Sequence, residues 1–169
     1  GNDHEVDLRR VARLRLGSRL GDAESPRTQR LRVVFAESHH IPFDEPDTAE
    51  TLARWSAAKR IVVPRVEGDA MRFYDYVPGE LCRGAFGIAE PSAAERPCDP
   101  ADIDFIVVPG VAFTAAGARM GRGRGYYDKY LSQSGFRGVK AGVCYAHQLV
   151  GELPVEPHDV FMDYVVTDD

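Results

Sequence analysis

The feature that most constrains the fold is a short, very apolar segment that leads directly into a glycine-rich loop. Residues 103–108 (IDFIVV) form the most apolar run of the chain, which predicts a β-strand covered on both faces. Residues 109–125 follow as a predicted loop, and residues 126–132 begin a predicted helix. A doubly covered strand that passes through a loop into a helix is typical of a parallel sheet flanked by helices.

The same alternation of strands and helices extends along the rest of the chain. Further predicted strands lie at residues 31–36, 61–63, 71–77, 139–145 and 164–167, and further predicted helices at 5–20, 48–59 and 146–151. Pro64 is expected to end the strand that precedes it. This order predicts an α/β fold with a mostly parallel sheet and helices on both faces. In such sheets the ligand site lies beyond the carboxyl ends of the strands.

The predicted loop at 109–125 combines three features that attract phosphate. Four glycines within nine residues allow backbone N–H groups to approach a ligand; they are Gly117, Gly121, Gly123 and Gly125. Arg119, Arg122 and Arg124 alternate with them, and the helix that begins at Tyr126 adds its positive end. The pattern is neither a Walker loop nor GxGxxG, and the glycine spacing alone also fits a surface loop with solvated arginines. Together, the three features predict an anion site.

Asp128 and Asp159 are candidate ligands for a divalent cation. Asp128 is the third residue of the predicted helix, where Mg²⁺ could bind it together with nucleotide phosphates. The simpler alternative is an acidic residue that favours the start of a helix. Asp159 belongs to an acidic cluster with Glu152, Glu156 and Asp163. It could return to the same edge of the sheet, or it could be an ordinary solvated acid.

Composition argues against several other classes of protein. With 26 acidic and 21 basic side chains the net charge is −5, so a broad nucleic-acid surface is not expected. The three cysteines form no CxxC pair, the histidines form no HExxH pattern, and GxSxG is absent. Neither a zinc site, a disulfide framework nor a serine nucleophile is therefore indicated. No run is apolar enough to predict a membrane span or a signal peptide, and a reducing cytoplasm is the expected location.

Residues 104–131 resemble the signature of the 5-formyltetrahydrofolate cyclo-ligases, also called methenyltetrahydrofolate synthetases. That family carries a motif close to D-hydrophobic-PGvaFd-x-x-G-x-RLGxGxGYYDrYL. Here the segment reads DFIVVPGVAF followed by TAAGARMGRGRGYYDKYL. Further agreement lies at VPR (63–65), GAFGIAEP (84–91), LPVEPHD (153–159) and VVT (165–167). The resemblance covers about residues 33–168, and it is specific because the long match is uninterrupted.

The resemblance implies an ATP- and Mg²⁺-dependent enzyme of folate metabolism. It would convert 5-formyltetrahydrofolate (folinate) to 5,10-methenyltetrahydrofolate, with release of ADP and phosphate. Such a reaction needs positioning and charge neutralisation rather than a protein nucleophile. The implied partner is the small folate substrate, with or without a polyglutamate tail, and a monomer or weak homodimer is expected. The implied fold is a three-layer, Rossmann-like domain over residues 1–169, similar to the NagB/RpiA/CoA-transferase-like fold.

The resemblance also implies roles for individual residues. Arg124 and Tyr126 would be catalytic, and Asp128 and Asp159 would hold Mg²⁺. The implied ATP-binding residues are Arg9, Arg119, Gly121, Arg122, Gly123, Arg124, Gly125, Tyr126 and Tyr127. The implied folate-binding residues are Glu45, Phe86, Arg122, Gly123, Arg124, Gly125 and Tyr126. Glu45 would accept two N–H bonds from the pterin, and its alternative is a solvated loop acid. Phe86 would cover the folate or belong to the core.

The chain departs from the family pattern mainly at its amino-terminal end. A first helix with Lys-x-x-x-Arg usually reaches the ATP phosphates, but Glu5 stands where the lysine is expected, and Arg13 could join Arg9 instead. Residues 1–32 are therefore expected to form a shortened, arginine-rich region with a net charge of +3, from eight arginines and five acids. In the loop, Thr114 replaces a common aspartate. These changes keep a second function open: a non-catalytic relative that binds folate, nucleotide or RNA without turnover.

Overall fold

The computed structural model describes residues 32–35, 55–57, 59–77, 80–83, 89–91 and 96–168. The strands in these residues are β1 (Arg32–Phe35), β2 (Arg60–Glu67), β3 (Ala70–Asp75), β4 (Leu81–Arg83), β5 (Ala89–Pro91), β6 (Phe105–Val108), β7 (Ala112–Thr114), β8 (Arg119–Met120), β9 (Val139–Val143), β10 (Leu149–Val150) and β11 (Tyr164–Val166). The other elements whose full bounds lie in these residues are one α-helix, α1 (Tyr126–Leu131), and two 3-10 turns, Pro100–Asp102 and Ala146–Gln148. None of the helices in these residues is long and apolar enough to cross a membrane.

The main sheet has six strands in the order β11-β9-β6-β1-β2-β3. Adjacent strands of this sheet pair in parallel from β11 through β2, and only the β2–β3 pair is antiparallel. The predicted mostly parallel sheet is thus confirmed. A smaller sheet has the order β10-β7-β8, and β4 pairs with β5 as an antiparallel ribbon.

The strand order reverses its direction between β1 and β6. The chain passes from β1 to β2 on one side of the sheet, whereas β6, β9 and β11 add to the other side. Val33 pairs with Phe105 and Phe35 pairs with Val107, so the carboxyl ends of β1 and β6 lie side by side. Such a reversal opens a crevice at the carboxyl edge, and ligands of open α/β sheets bind there.

Strand β6 is buried on both faces, as its apolar sequence predicts. Phe105 and Val107 belong to one cluster of buried side chains, and Ile106 and Val108 belong to the other. Alternate residues of a strand point to opposite faces, so the two clusters are the cores on either side of the sheet. Helix α1 packs in the second cluster, where Tyr130 makes an edge-to-face contact with Phe73 at 4.5 Å between ring centroids.

The prediction that Pro64 ends a strand was wrong. Strand β2 continues through Pro64 to Glu67 and pairs with β3 along its length. The Tyr76 N–H donates to the Ile61 carbonyl at 2.8 Å, which makes 61/76 a hydrogen-bonded pair. Since bonded pairs alternate in an antiparallel ladder, Pro64 faces Phe73 at a position where no ladder bond is needed from its nitrogen.

The prediction of a continuous loop at 109–125 was also wrong. This segment contains β7 and β8, which form a hairpin in the small sheet. The predicted helix at 146–151 is a 3-10 turn followed by β10, which pairs with β7 in parallel. Part of this second sheet comes from β10, which lies far from β7 in sequence, and local composition does not show such a partner. Trp55 and Ser56 are helical, while the predicted helix at 5–20 lies outside the described residues.

Candidate active site

The β7–β8 hairpin builds the first half of the glycine-rich segment. Thr114 and Ala118 close it, through a bond from the Thr114 N–H to the Ala118 carbonyl (2.9 Å) and one from the Ala118 N–H to Thr114 Oγ1 (3.1 Å). Gly117 has φ +92°, and a Cβ there would lie 2.3 Å from the carbonyl oxygen of Met162. The Met162 N–H also donates to the Gly117 carbonyl at 2.8 Å. Only glycine allows this close docking of the hairpin on the chain before β11.

The second half of the segment, residues 121–125, is open. Gly123 (φ +80°) and Gly125 (φ +63°) are left-handed, and no described atom lies within 4 Å of the position where either would carry a Cβ. Arg122 and Arg124 alternate with them and are exposed. Left-handed glycines between exposed arginines are a backbone arrangement that can present N–H groups to an anion, and the anion site itself stays a prediction.

Arg119 differs from the other two arginines because its side chain is buried, with only 5% of its surface exposed. Its Nη2 donates to Oδ2 of Asp128 at 2.7 Å, and its Nη1 donates to the carbonyl of Pro109 at 3.2 Å. The guanidinium also lies over the ring of Tyr127, 5.5 Å from the centroid. Arg119 therefore ties the end of β6 to the first turn of α1.

The fold brings the segments that carry the two candidate metal ligands into contact. The N–H of Val160, the residue after Asp159, donates to Oδ1 of Asp128 at 3.2 Å. Asp159 in turn accepts a bond from the N–H of Glu156 at 2.7 Å, in a tight turn. Nε2 of His158 lies 3.8 Å from Oδ1 of Asp159, and Nδ1 of His158 lies 3.4 Å from Oε2 of Glu156.

The donor set near Asp128 suits Mg²⁺ that arrives with phosphate. Among the described residues, no group of three or more His, Cys, Asp and Glu side chains could hold a metal ion. A pair of carboxylates is nevertheless the usual protein contribution when phosphate oxygens and water complete the magnesium shell. Each carboxylate oxygen of Asp128 accepts one bond and keeps further lone-pair capacity.

The first residues of α1 connect this loop to the β2–β3 hairpin. The Tyr126 hydroxyl donates to the carbonyl of Gly68 at 3.3 Å, and Gly68 forms the turn between the two strands. The helix begins at Tyr126, as predicted, but it has only six residues, and its N-cap Gly125 makes no side-chain capping bond. A helix this short adds little dipole to an anion site, so the arginines and the loop amides are the main positive groups.

Sequence reasoning missed the role of Gln148. This side chain is buried, accepts from the N–H of Tyr145 at 2.9 Å, and donates to the carbonyls of Gly110 (3.3 Å) and Val111 (3.2 Å). It holds Gly110 and Val111 in place, next to Pro109, whose carbonyl accepts the bond from Arg119. A single glutamine distant in sequence from the loop gives no local signal of this contact.

Three of the residues predicted for the site cannot be placed. Arg9, Glu45 and Phe86 lie outside the described residues, as do Glu5 and Arg13 at the amino-terminal end. The expectations for ATP and pterin contacts at those positions remain predictions from the resemblance. Within the described residues, the bond from the Val160 N–H to Asp128 brings the 119–128 segment and the Asp159 turn into contact.

Comparisons with known proteins show which family the chain is similar to. Residues 14–168 match the model of the 5-formyltetrahydrofolate cyclo-ligase family. The cyclo-ligase of Escherichia coli K12 is 33% identical over 135 residues, which cover 75% of this chain and 74% of that protein. The cyclo-ligase of Mycolicibacterium smegmatis is 35% identical over 115 residues, 64% of this chain, but the match spans only about three fifths (59%) of that relative. In structure, the chain resembles the 5,10-methenyltetrahydrofolate synthetase of Aquifex aeolicus, with a TM-score of 0.71, 35% identity and coverage of 86% and 73%.

Proposed function

Because this chain belongs to the 5-formyltetrahydrofolate cyclo-ligase family, we propose that it converts 5-formyltetrahydrofolate to 5,10-methenyltetrahydrofolate. ATP is the phosphoryl donor and Mg²⁺ is required, and ADP and phosphate are released. The proposal covers the activity, the substrates and the cofactor together, since all three follow from family membership and from the chemistry of the site.

The reaction requires activation of a formamide, whose oxygen is a poor leaving group. Transfer of the γ-phosphoryl group from ATP to the formyl oxygen releases ADP and makes that oxygen a good leaving group. The lone pair of N10 then attacks the formyl carbon, phosphate departs with the oxygen, and the N10 proton is lost as the ring closes. No step needs a covalent bond to the protein, so positioning and charge neutralisation carry the catalysis.

The observation that carries the proposal is the open stretch at residues 121–125 beside Asp128. Its exposed arginines and left-handed glycines can surround the triphosphate, and the stretch follows β6, where the strand order reverses. In the proposed site, Gly121, Arg122, Gly123, Arg124, Gly125, Tyr126 and Tyr127 contact ATP. Arg124 and Tyr126 border both substrates and act in the phosphoryl transfer.

Asp128 and Asp159 are the proposed magnesium ligands. When bound, Mg²⁺ would neutralise phosphate charge as the γ-phosphoryl group is transferred. Asp128 is already oriented by Arg119 and by the Val160 N–H, and Asp159 precedes that same Val160. The contact between the two segments supports their joint use.

The remaining parts of the proposal concern the residues near the amino-terminal end and the whole fold. Glu45 is proposed to bind the pterin, Phe86 to cover the folate and Arg9 to reach ATP. Helices on both faces of the sheet would complete a three-layer, Rossmann-like domain. We also place the protein in the cytoplasm as a monomer or weak homodimer that acts on folinate with or without a polyglutamate tail.

The direct test is to incubate the purified protein with folinate, ATP and Mg²⁺ and to follow the absorbance of the methenyl product. An increase that depends on both ATP and Mg²⁺ is expected. Absence of an ATP-dependent signal above the blank would contradict the proposal. Binding of folinate or ATP without product would identify the chain as the non-catalytic relative instead.

A variant pair tests whether the open stretch carries the activity. Arg124→Met is expected to lower kcat/KM at least tenfold, because it removes a cation next to the proposed phosphates. Lys129→Met removes an exposed cation on α1 to which no role is assigned, so it should stay within about twofold of the wild type. Equal losses in both variants would show that net charge matters rather than the position of Arg124.

A further inference from the structure

Arg119 is the buried arginine of the candidate site, with 5% of its side chain exposed, whereas Arg122 and Arg124 are exposed. We propose that Arg119 is a positioning residue, which holds the carboxylate of Asp128 in the orientation that receives Mg²⁺, while Arg122 and Arg124 contact the phosphates. This inference rests on the proposed function, because it concerns the Mg²⁺–nucleotide site. It revises the expectation from sequence that Arg119 itself binds ATP.

Both terminal nitrogens of the Arg119 guanidinium bond other residues of the protein. Nη2 bonds Asp128, Nη1 bonds the Pro109 carbonyl, and the group lies over Tyr127, while the buried Nε has no hydrogen-bond partner among the described residues. Because 5% of the side chain is exposed, little of the guanidinium is accessible to a phosphate. Buried ion pairs are costly to break, since each charge would lose its partner in a poorly hydrated place.

The slot around Arg119 is shaped by two glycines. A Cβ on Gly121 would lie 2.8 Å from Nη1 of Arg119, and a Cβ on Gly110 would lie 2.7 Å from the ring of Phe113 and 3.0 Å from Cγ of Arg119. At Gly123 and Gly125, in contrast, a Cβ would meet no described residue within 4 Å apart from the chain neighbours. Gly121 therefore makes room for the arginine, and Gly110 makes room for both the arginine and Phe113.

The two bonds to Asp128 fix its carboxylate plane from opposite oxygens. Arg119 donates to Oδ2 at 2.7 Å, and the N–H of Val160 donates to Oδ1 at 3.2 Å. Partners that orient a metal ligand in this way commonly change metal affinity tenfold to 100-fold when they are removed. Because Val160 follows Asp159, the same contacts keep Asp128 next to the second proposed ligand.

The test measures nucleotide binding rather than turnover. ADP binding to the wild type and to Arg119→Met is measured by calorimetry in buffer with Mg²⁺ and in buffer with EDTA. The variant is expected to lose roughly tenfold or more of its affinity for ADP in Mg²⁺ and to stay within about threefold in EDTA. An equal loss in both buffers would overturn the proposal, because it would show direct contact between Arg119 and the nucleotide.

Gln148→Leu provides the matched control. Gln148 is also buried and bonds the adjoining carbonyls of Gly110 and Val111, but among the described residues its side chain bonds Tyr145, Gly110 and Val111 rather than Asp128. We expect this variant to be less stable while its affinity gain from Mg²⁺ is unchanged. If Gln148→Leu lost the metal-dependent gain as fully as Arg119→Met, the effect would belong to loop packing, and the positioning role would be refuted.

Arg119→Lys keeps the experiment decisive if the methionine variant fails to fold. A lysine retains the charge but has a single ammonium, which cannot reproduce the fork between Asp128 and Pro109. Its metal-dependent gain should fall between those of the wild type and the methionine variant, at least threefold below the wild type. A gain equal to the wild type would contradict the proposal. Failure of the wild type to bind ADP in either buffer would instead overturn the proposed function itself.

Discussion

Two arginine–aspartate ion pairs of the described residues differ in burial, since one is buried in the candidate site and the other is exposed on the β2–β3 hairpin. Arg119 and Asp128 pair inside the site, where 5% and 14% of the side chains are exposed. Arg60 and Asp75 pair across the β2–β3 ribbon, where 47% and 33% are exposed. The hydrogen bond to Asp75 raises the pKa of Arg60, yet water competes for both groups. The comparison shows that burial, rather than the residue types of the pair, determines how strongly the loss of one partner destabilises the fold.

The largest difference between the two regions should appear when each aspartate loses its charge. Asp128→Asn leaves the buried guanidinium of Arg119 without its counter-charge and should lower the free energy of unfolding by about 3 kcal/mol. Asp75→Asn should cost no more than about 1 kcal/mol, because Arg60 is then solvated by water. Urea unfolding of both variants at neutral pH measures the difference. Equal losses would show that the site pair is no more than a surface pair.

The glycines of the two regions provide a smaller contrast. Gly117 in the site and Gly68 in the β2–β3 turn both have left-handed φ angles, +92° and +62°. Gly117→Ala adds a clash with the Met162 carbonyl at 2.3 Å, so we expect a loss above about 2 kcal/mol. Gly68→Ala meets no described atom within 4 Å and should cost about 1 kcal/mol from backbone strain alone. Thermal unfolding of both variants checks this order, and a larger loss for Gly68→Ala would reverse our view of which turn is tightly packed.

The contrast also explains how much the sequence could predict. Strand β6 and the start of α1 at Tyr126 are encoded by neighbouring residues, and both predictions were confirmed. The contacts that organise the site join residues far apart in the chain. Val160 is 32 residues from Asp128, and Gln148 is 38 residues from Gly110. Local composition cannot show which distant acceptor an N–H group will bond, so these hydrogen bonds become visible only when the fold brings the segments together.

The three arginines of residues 119–124 also differ in ways that local sequence does not show. The sequence presents Arg119, Arg122 and Arg124 as three equivalent cations in alternation with glycines. The fold separates them, because β8 turns Arg119 toward the core while the other two stay exposed. Motif spacing alone does not distinguish these positions, because it assigns all three arginines the same role.

The smallest expected effects come from two tyrosines, one in each region. Tyr130 of α1 is buried, and its hydroxyl has no hydrogen-bond partner among the described residues. Tyr130→Phe should therefore raise the free energy of unfolding by up to about 1 kcal/mol, since it removes a polar group that was buried at a cost. The hydroxyl of Tyr74 in β3 bonds Glu67 at 2.6 Å, so Tyr74→Phe should lower stability by about 1 kcal/mol. Opposite signs in urea unfolding are the result to look for, and a loss in both variants would indicate that Tyr130 has a polar partner.

The pH dependence of stability offers a second readout for the same two tyrosines. Burial raises the pKa of both, and for Tyr74 the bond to Glu67 raises the pKa further. Above about pH 10 an unfolded tyrosine loses its proton, while the folded protein retains it, so the folded state binds more protons and stability falls as pH rises. This contribution is fully present below about pH 10 and is lost as the pH passes through the raised pKa values. Each phenylalanine variant should lose less stability as the pH rises than the wild type does. Tyr130→Phe should show the larger effect, because burial shifts the pKa of Tyr130 further. An unchanged slope in both would show that other groups control alkaline unfolding.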